Sequence, residues 1–200
     1  MHKWTQIGSS FLLLIFPFII YLALQYGSLD QVSLALVSIY TIRLFIRKKD
    51  HMGKKSIRQV PLLIFMLLAL LSLLTKEVKY ILLQPFFLSI ILYCILFLSL
   101  IYPPTVIERI YMSRKKKLSK SLKAYCRTMN KVWCLFLCIN AAGAFYTAFY
   151  CSISIWALFN GLITYLLAGA LLSIEYLVYR VRINKHQENI SIQTDESIQS

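Results

Sequence analysis

Six apolar runs occupy most of this 200-residue chain, at about 7–26, 29–46, 60–75, 80–102, 132–151 and 153–179. Each is close to the ~20 residues that a helix needs to cross a hydrocarbon core. The runs are continuous rather than amphipathic, so they have no face suited to water. A chain in lipid must satisfy its own backbone N–H and C=O groups, which a helix does within one segment. The sequence therefore predicts an all-α polytopic membrane protein with six transmembrane helices in residues 1–180. The 58% hydrophobic fraction agrees, since soluble domains average about 45–50%.

The segments between the runs predict orientation. Of the 22 Lys and Arg residues, one precedes the first run, seven lie from Arg43 to Arg58, nine from Arg109 to Lys131, and three from Arg180 onward. Only Lys76 and Lys79 fall on the other side, which leaves 20 against 2 on alternate sides. Short cytoplasmic loops are enriched in Lys and Arg, so both termini and both basic loops are expected in the cytoplasm. The expected place is the cell inner membrane, as a multi-pass protein. The basic start precedes a long apolar run with no small-x-small cleavage pattern, which reads as a retained first span. Trp4 and Trp133 are expected at the inner interface, Trp156 and Tyr80 at the outer one. The polar segment 181–200 reads as a cytoplasmic tail.

A formal charge of +14 would suggest nucleic acid if it came with stacking aromatics or a DNA-binding motif. Its confinement to loops between apolar runs argues against that partner. The five cysteines form no Cys-x-x-Cys pair and no zinc spacing, and His2, His51 and His186 are all peripheral. No metal site, cofactor or catalytic residue is assigned on these patterns.

The residues 103–131 form a basic loop in which Ile107, Ile110, Tyr111, Leu118, Leu122, Tyr125 and Met129 mark one face of a helix. Arg114, Lys115, Lys116, Lys117, Lys120, Lys123 and Arg127 mark the other. Such a helix is expected on the membrane surface, with lipid as its partner. Ionisable groups within or beside a span are the other candidates. Glu175 sits about 7 Å below the rim at 1.5 Å per residue, and Arg43, Arg109 and Arg180 are candidate partners. Glu108 stands beside Arg109 where Pro103 and Pro104 release the chain. Asn140 and Asn160 fall within the fifth and sixth runs near small residues, as helix glue or as part of a polar groove. Pro17 in FPFII and Pro85 in QPFFL predict kinks and hint at an inverted repeat.

PPTVIER, VWCLFLCIN, WALFNGLITYLLAG and EYLVYR, in this order over about 102–182, resemble a family of small, uncharacterised bacterial six-helix inner-membrane proteins. Its members are encoded among fatty-acid- or polyketide-like synthesis genes, notably those for aryl-polyene lipids. The resemblance carries over to Pro103, Pro104, Glu108, Arg109, Trp133, Cys134, Asn140, Trp156, Asn160, Gly161 and Glu175. The family's Tyr-Pro in the fourth helix reads Gln84-Pro85 here. What the resemblance implies is an accessory role in making or passing on an acyl-lipid product. Its partners would be an acyl carrier protein or other acyl-synthesis enzymes and an exporter. Two alternatives stand beside it: a small lipid or acyl transferase or transporter with a polar pocket around Glu175 and Arg109, and a structural subunit of a membrane complex.

Overall fold

A computed structural model describes residues 17–50, 56–114, 120–178 and 180. Within them the chain is all-helical. Helix α1 is Pro17–Tyr26 and α2 is Leu29–Asp50. Helix α3 is Ser56–Thr75, α4 the single turn Lys79–Leu82, α5 Gln84–Ile101, α6 Val106–Arg114 and α7 Lys120–Tyr150. Helix α8 covers Ile153–Val178 and passes through a π-helical stretch at Phe159–Ile163. Among the described residues, three segments are long and apolar enough to cross a membrane: Lys79–Ile101, Ser121–Tyr150 and Ile153–Val178. Trp4, the first part of the first apolar run, Lys115, Lys116, Lys117 and the tail 181–200 lie outside the described residues.

Among the described residues, side-chain caps begin three helices. Ser28 and Gln31 make a reciprocal pair before α2: the Ser28 N–H donates to Gln31 Oε1 at 3.3 Å, and the Gln31 N–H to Ser28 Oγ at 3.4 Å. Thr105 and Glu108 repeat that arrangement before α6, and Ser152 accepts from the Ile155 N–H at the start of α8. Each satisfies backbone donors that a helix start leaves without an intrahelical acceptor. Helix α3 ends the opposite way. Lys76 takes the left-handed conformation (φ 61°), its N–H donates to the Ser72 carbonyl at 2.9 Å, and its ammonium pairs with Asp30. That ion pair ties the α1–α2 turn to the α3–α4 turn.

The chain divides into a unit up to Leu162 and a second from Ile163 onward. In the first, α2 packs along α3 and α5 along α7. Its core joins Ile20, Leu36, Leu62, Ala69, Ile81, Ala148 and Trp156. The described part of the second unit contains the remainder of α8, on which Leu166, Leu167, Leu172 and Leu177 are all exposed.

Two features refine the sequence reading. Pro85 lies in the first turn of α5 rather than inside a kinked helix. The helical path from Lys79 is interrupted at Leu83 instead, and proline's missing N–H suits the first turn. The basic segment 103–131 is helical on both sides of residues 115–119. Its second part belongs to the same helix as the fifth apolar run, because no Pro or Gly occurs between Lys120 and Asn140. The 31 residues of α7 measure about 46 Å at 1.5 Å per residue. That is longer than the thickness of a hydrocarbon core, about 30 Å.

Candidate functional site

Polar side chains between the helices meet in pairs. Asn140 Nδ2 donates to Ser89 Oγ at 2.9 Å, joining α7 to α5, and Ser89 Oγ donates to the Pro85 carbonyl at 2.9 Å. Ten residues along each helix the pattern recurs. There Asn130 Nδ2 donates to the Leu96 carbonyl at 2.9 Å and lies 3.4 Å from Ser99 Oγ. Asn160, in the π-helical stretch, donates to the Trp156 carbonyl at 2.9 Å and to Thr147 Oγ1 at 3.4 Å. Thus Asn140 and Asn160 both lie in the helix packing as hydrogen-bonded side chains.

A second group surrounds the break at Leu83. Trp156 is fully buried, and its indole N–H donates to the Leu82 carbonyl at 2.9 Å. It lies in the core cluster with Ile81 and Leu82. The Tyr40 hydroxyl donates to Gln84 Oε1 at 2.8 Å. Gln84 is only 2% exposed, so glutamine here is a buried partner of Tyr40. Gln84 Nε2, Asn130 Oδ1 and Asn160 Oδ1 are buried without a hydrogen-bond partner.

Glycines shape the same region. A Cβ on Gly143 would stand 2.2 Å from Phe159 Cζ, and one on Gly161 2.6 Å from the Phe18 ring. Each aromatic ring therefore occupies space that any side chain at the glycine would take. This explains Gly161 by packing alone.

The third group is the α5–α6 turn. Glu108 Oε2 accepts from the Thr105 N–H at 2.9 Å while the Glu108 N–H donates to Thr105 Oγ1 at 3.2 Å. Glu108 is thus the return arm of a capping box, and Thr-x-x-Glu is that box's sequence pattern. Arg109 Nε donates to the Pro104 carbonyl at 3.1 Å, and Arg127 on α7 reaches the Leu100 carbonyl at 3.5 Å. Ser99 Oγ accepts from the Val106 N–H at 3.2 Å and donates to the Leu96 carbonyl at 2.7 Å. With Asn130 beside it, Ser99 joins α5, α6 and α7. Neither Ser99 nor Asn130 stands out in the sequence, because their partners lie on other helices about 30 residues away.

The remaining candidates are distributed. Arg43 is exposed on α2, and Lys123 is exposed on α7. Arg114 ends α6 and Lys120 begins α7. Glu175 is half-buried on the second unit, where the Arg180 guanidinium lies 5.5 Å from the centroid of the Tyr176 ring. Of the sequence-selected residues, Glu108 and Arg109 come together at the α5–α6 turn. Among the described residues, no three His, Cys, Asp or Glu side chains are placed to hold a metal ion. No family model, curated protein or solved structure matches the chain.

Proposed function

We propose that this chain is a six-span inner-membrane protein with both termini in the cytoplasm, serving as an accessory scaffold for acyl-lipid synthesis. In this reading it holds acyl-synthesis enzymes or an acyl carrier protein against the cytoplasmic face, or hands their polyene-type product to an exporter. The observation that carries it is the contrast between two sets of polar groups. Asn140, Asn160 and Gln84 are buried and bonded between helices, which suits them to assembly rather than turnover. Lys123, Arg127 and Lys131 are exposed on α7, where an acidic carrier or a membrane surface can reach them. The acyl-lipid part of the reading rests on the motifs PPTVIER, VWCLFLCIN, WALFNGLITYLLAG and EYLVYR.

Support for the six-span arrangement comes from the Lys76–Asp30 pair, which joins two turns assigned to the same outer side. Reporter fusions after Gly27 and Asp50 test it: the two junctions should report opposite sides, and a common side overturns the orientation. The role is tested by product yield in cells. Neutralising Lys115, Lys116, Lys117 and Lys120 should lower the yield of acyl-lipid product, while Glu175→Gln leaves it near the wild-type level. The reverse pattern replaces the scaffold with a site at Glu175.

A further inference from the structure

We infer that the α5–α6 turn and the adjoining ridge of α7 bind the phosphate of an anionic phospholipid, with Arg109 and Arg127 as its two ligands. The inference rests on the membrane-spanning reading above. Arg109 comes from α6 and Arg127 from α7, yet they reach carbonyls four residues apart, Pro104 in the α5–α6 turn at 3.1 Å and Leu100 in the last turn of α5 at 3.5 Å. Each contact uses one of a guanidinium's five N–H donors. Each arginine therefore keeps a pair of N–H groups for the bidentate contact that phosphate oxygens accept. The nearest acid in sequence, Glu108, has its carboxylate turned to the Thr105 N–H. Among the described residues neither arginine has an ion pair.

The ridge around Arg127 strengthens the case. Lys123, Arg127 and Lys131 follow one another at intervals of four residues, and all three are exposed. Like charges at that spacing on a helix repel, and an anion placed along the ridge relieves the repulsion. The depth is right as well. Helix α5 ends at Ile101, so Leu100 lies in the last turn of a segment apolar enough to cross a membrane.

Apolar surface beside the arginines selects lipid over free phosphate. Tyr102 is 70% exposed and Ile110 52% exposed, next to a turn that carries two cations. Glycerol and acyl carbons of a lipid would cover such side chains, whereas inorganic phosphate would not. The exposed side of α6 thus combines Arg109 with Ile110 and Met112, the mixture found on helices that lie at headgroup level.

The test uses the purified full-length chain in neutral detergent, titrated with phosphatidylglycerol or phosphatidylcholine and read by native mass spectrometry. Alkaline carbonate extraction of membranes comes first: a chain that washes out of the bilayer ends the spanning reading, whatever lipid it binds. If it stays in the bilayer, it should bind phosphatidylglycerol at least tenfold more tightly than phosphatidylcholine. The double variant Arg109→Gln with Arg127→Gln should weaken phosphatidylglycerol about thirtyfold, from about one basic residue's surface attraction per arginine. Neutralising Lys48 and Lys49 should change affinity less than twofold. Equal losses in the two double variants reduce the site to diffuse surface charge and overturn the inference. Displacement of the lipid by millimolar glycerol phosphate overturns the lipid assignment in favour of a free phosphate. Where the double variant misassembles, Arg127→Lys keeps the charge but loses the fork. An affinity lowered about fivefold supports the arginine site, and an unchanged one overturns it.

Discussion

The Trp156 indole N–H donates to the Leu82 carbonyl at 2.9 Å, one residue before the interruption that separates α4 from α5. Pro85 follows in the first turn of α5 and cannot supply a backbone donor. The indole gives the broken turn a donor from another helix, in a place that excludes water. Trp156→Phe preserves most of the ring volume and removes only this donor. It should lower unfolding stability by about 1–3 kcal/mol, the cost of a buried acceptor left without a partner. Thermal unfolding in detergent, read by circular dichroism, checks the value. A loss below a few tenths of a kcal/mol would show that Leu82 finds another donor.

Glu108 distinguishes a cap from a catalytic acid. Because its carboxylate accepts the Thr105 N–H, Glu108→Gln should keep the box and fold with nearly unchanged stability. Glu108→Ala and Thr105→Ala should each cost about 1 kcal/mol. In a double-mutant cycle the two alanine changes should add to less than their sum, since each removes part of one reciprocal pair. Loss of product formation in Glu108→Gln, with stability intact, would refute the capping role as the reason for this residue.

How much of this is legible without coordinates depends on whether the signal is local. The helices follow from the apolar runs, and both capping boxes are written in four residues, Ser28 to Gln31 and Thr105 to Glu108. The second is easily taken for chemistry, because an acid next to an arginine attracts attention before a Thr three residues earlier does. Trp156 shows a different limit. A tryptophan at the end of an apolar run looks the same whether it faces headgroups or fills a core, and only its partner Leu82, 74 residues away, decides. Asn130 sits among basic residues, which conceals that it is fully buried against α5. The continuity of α7 is hidden for the same reason: charge patterning marks where water begins, not where a helix ends.

Gly143 and Gly169 should respond oppositely to the same change. An alanine Cβ at 143 would lie 2.2 Å from Phe159 Cζ, whereas nothing lies within 4 Å of one at 169. Gly143→Ala must displace a ring held in the π-helical stretch, so a loss of about 1–3 kcal/mol is expected. Adding Phe159→Leu should recover part of that loss. Gly169→Ala should be neutral or stabilising by up to about 1 kcal/mol, from helix propensity alone. Parallel melts of the three variants decide the matter, and equal effects at 143 and 169 would contradict the packing.

Asn140 and Ser89 offer a test of helix glue. Their bond at 2.9 Å joins the α5–α7 pair. Such interhelical bonds are worth about 0.6–2 kcal/mol in membranes. Asn140→Ala and Ser89→Ala should each lower stability by an amount in that range, with a coupling energy of similar size in the double variant. Product yield in cells should fall no further than the reduced protein level explains. A variant that keeps its level but loses its product would place Asn140 in a working groove instead.

Lys76 sets two opposing effects against each other. Its left-handed backbone, φ 61°, costs a side-chain-bearing residue about 1 kcal/mol relative to glycine. Its ammonium pairs with Asp30, but both side chains are more than half exposed, which limits the pair to about 0.2–1 kcal/mol. Lys76→Gly removes the strain and the pair together, so its net change should lie between about zero and about 0.8 kcal/mol of stabilisation. Asp30→Asn removes the pair alone and should destabilise slightly, by an amount that shrinks in high salt. In Asp30→Asn, the further change Lys76→Gly should then stabilise by close to the full relief of strain. A salt titration of the melting temperature for the three variants measures both contributions, and a large loss in Lys76→Gly would mean that the ion pair outweighs the backbone strain.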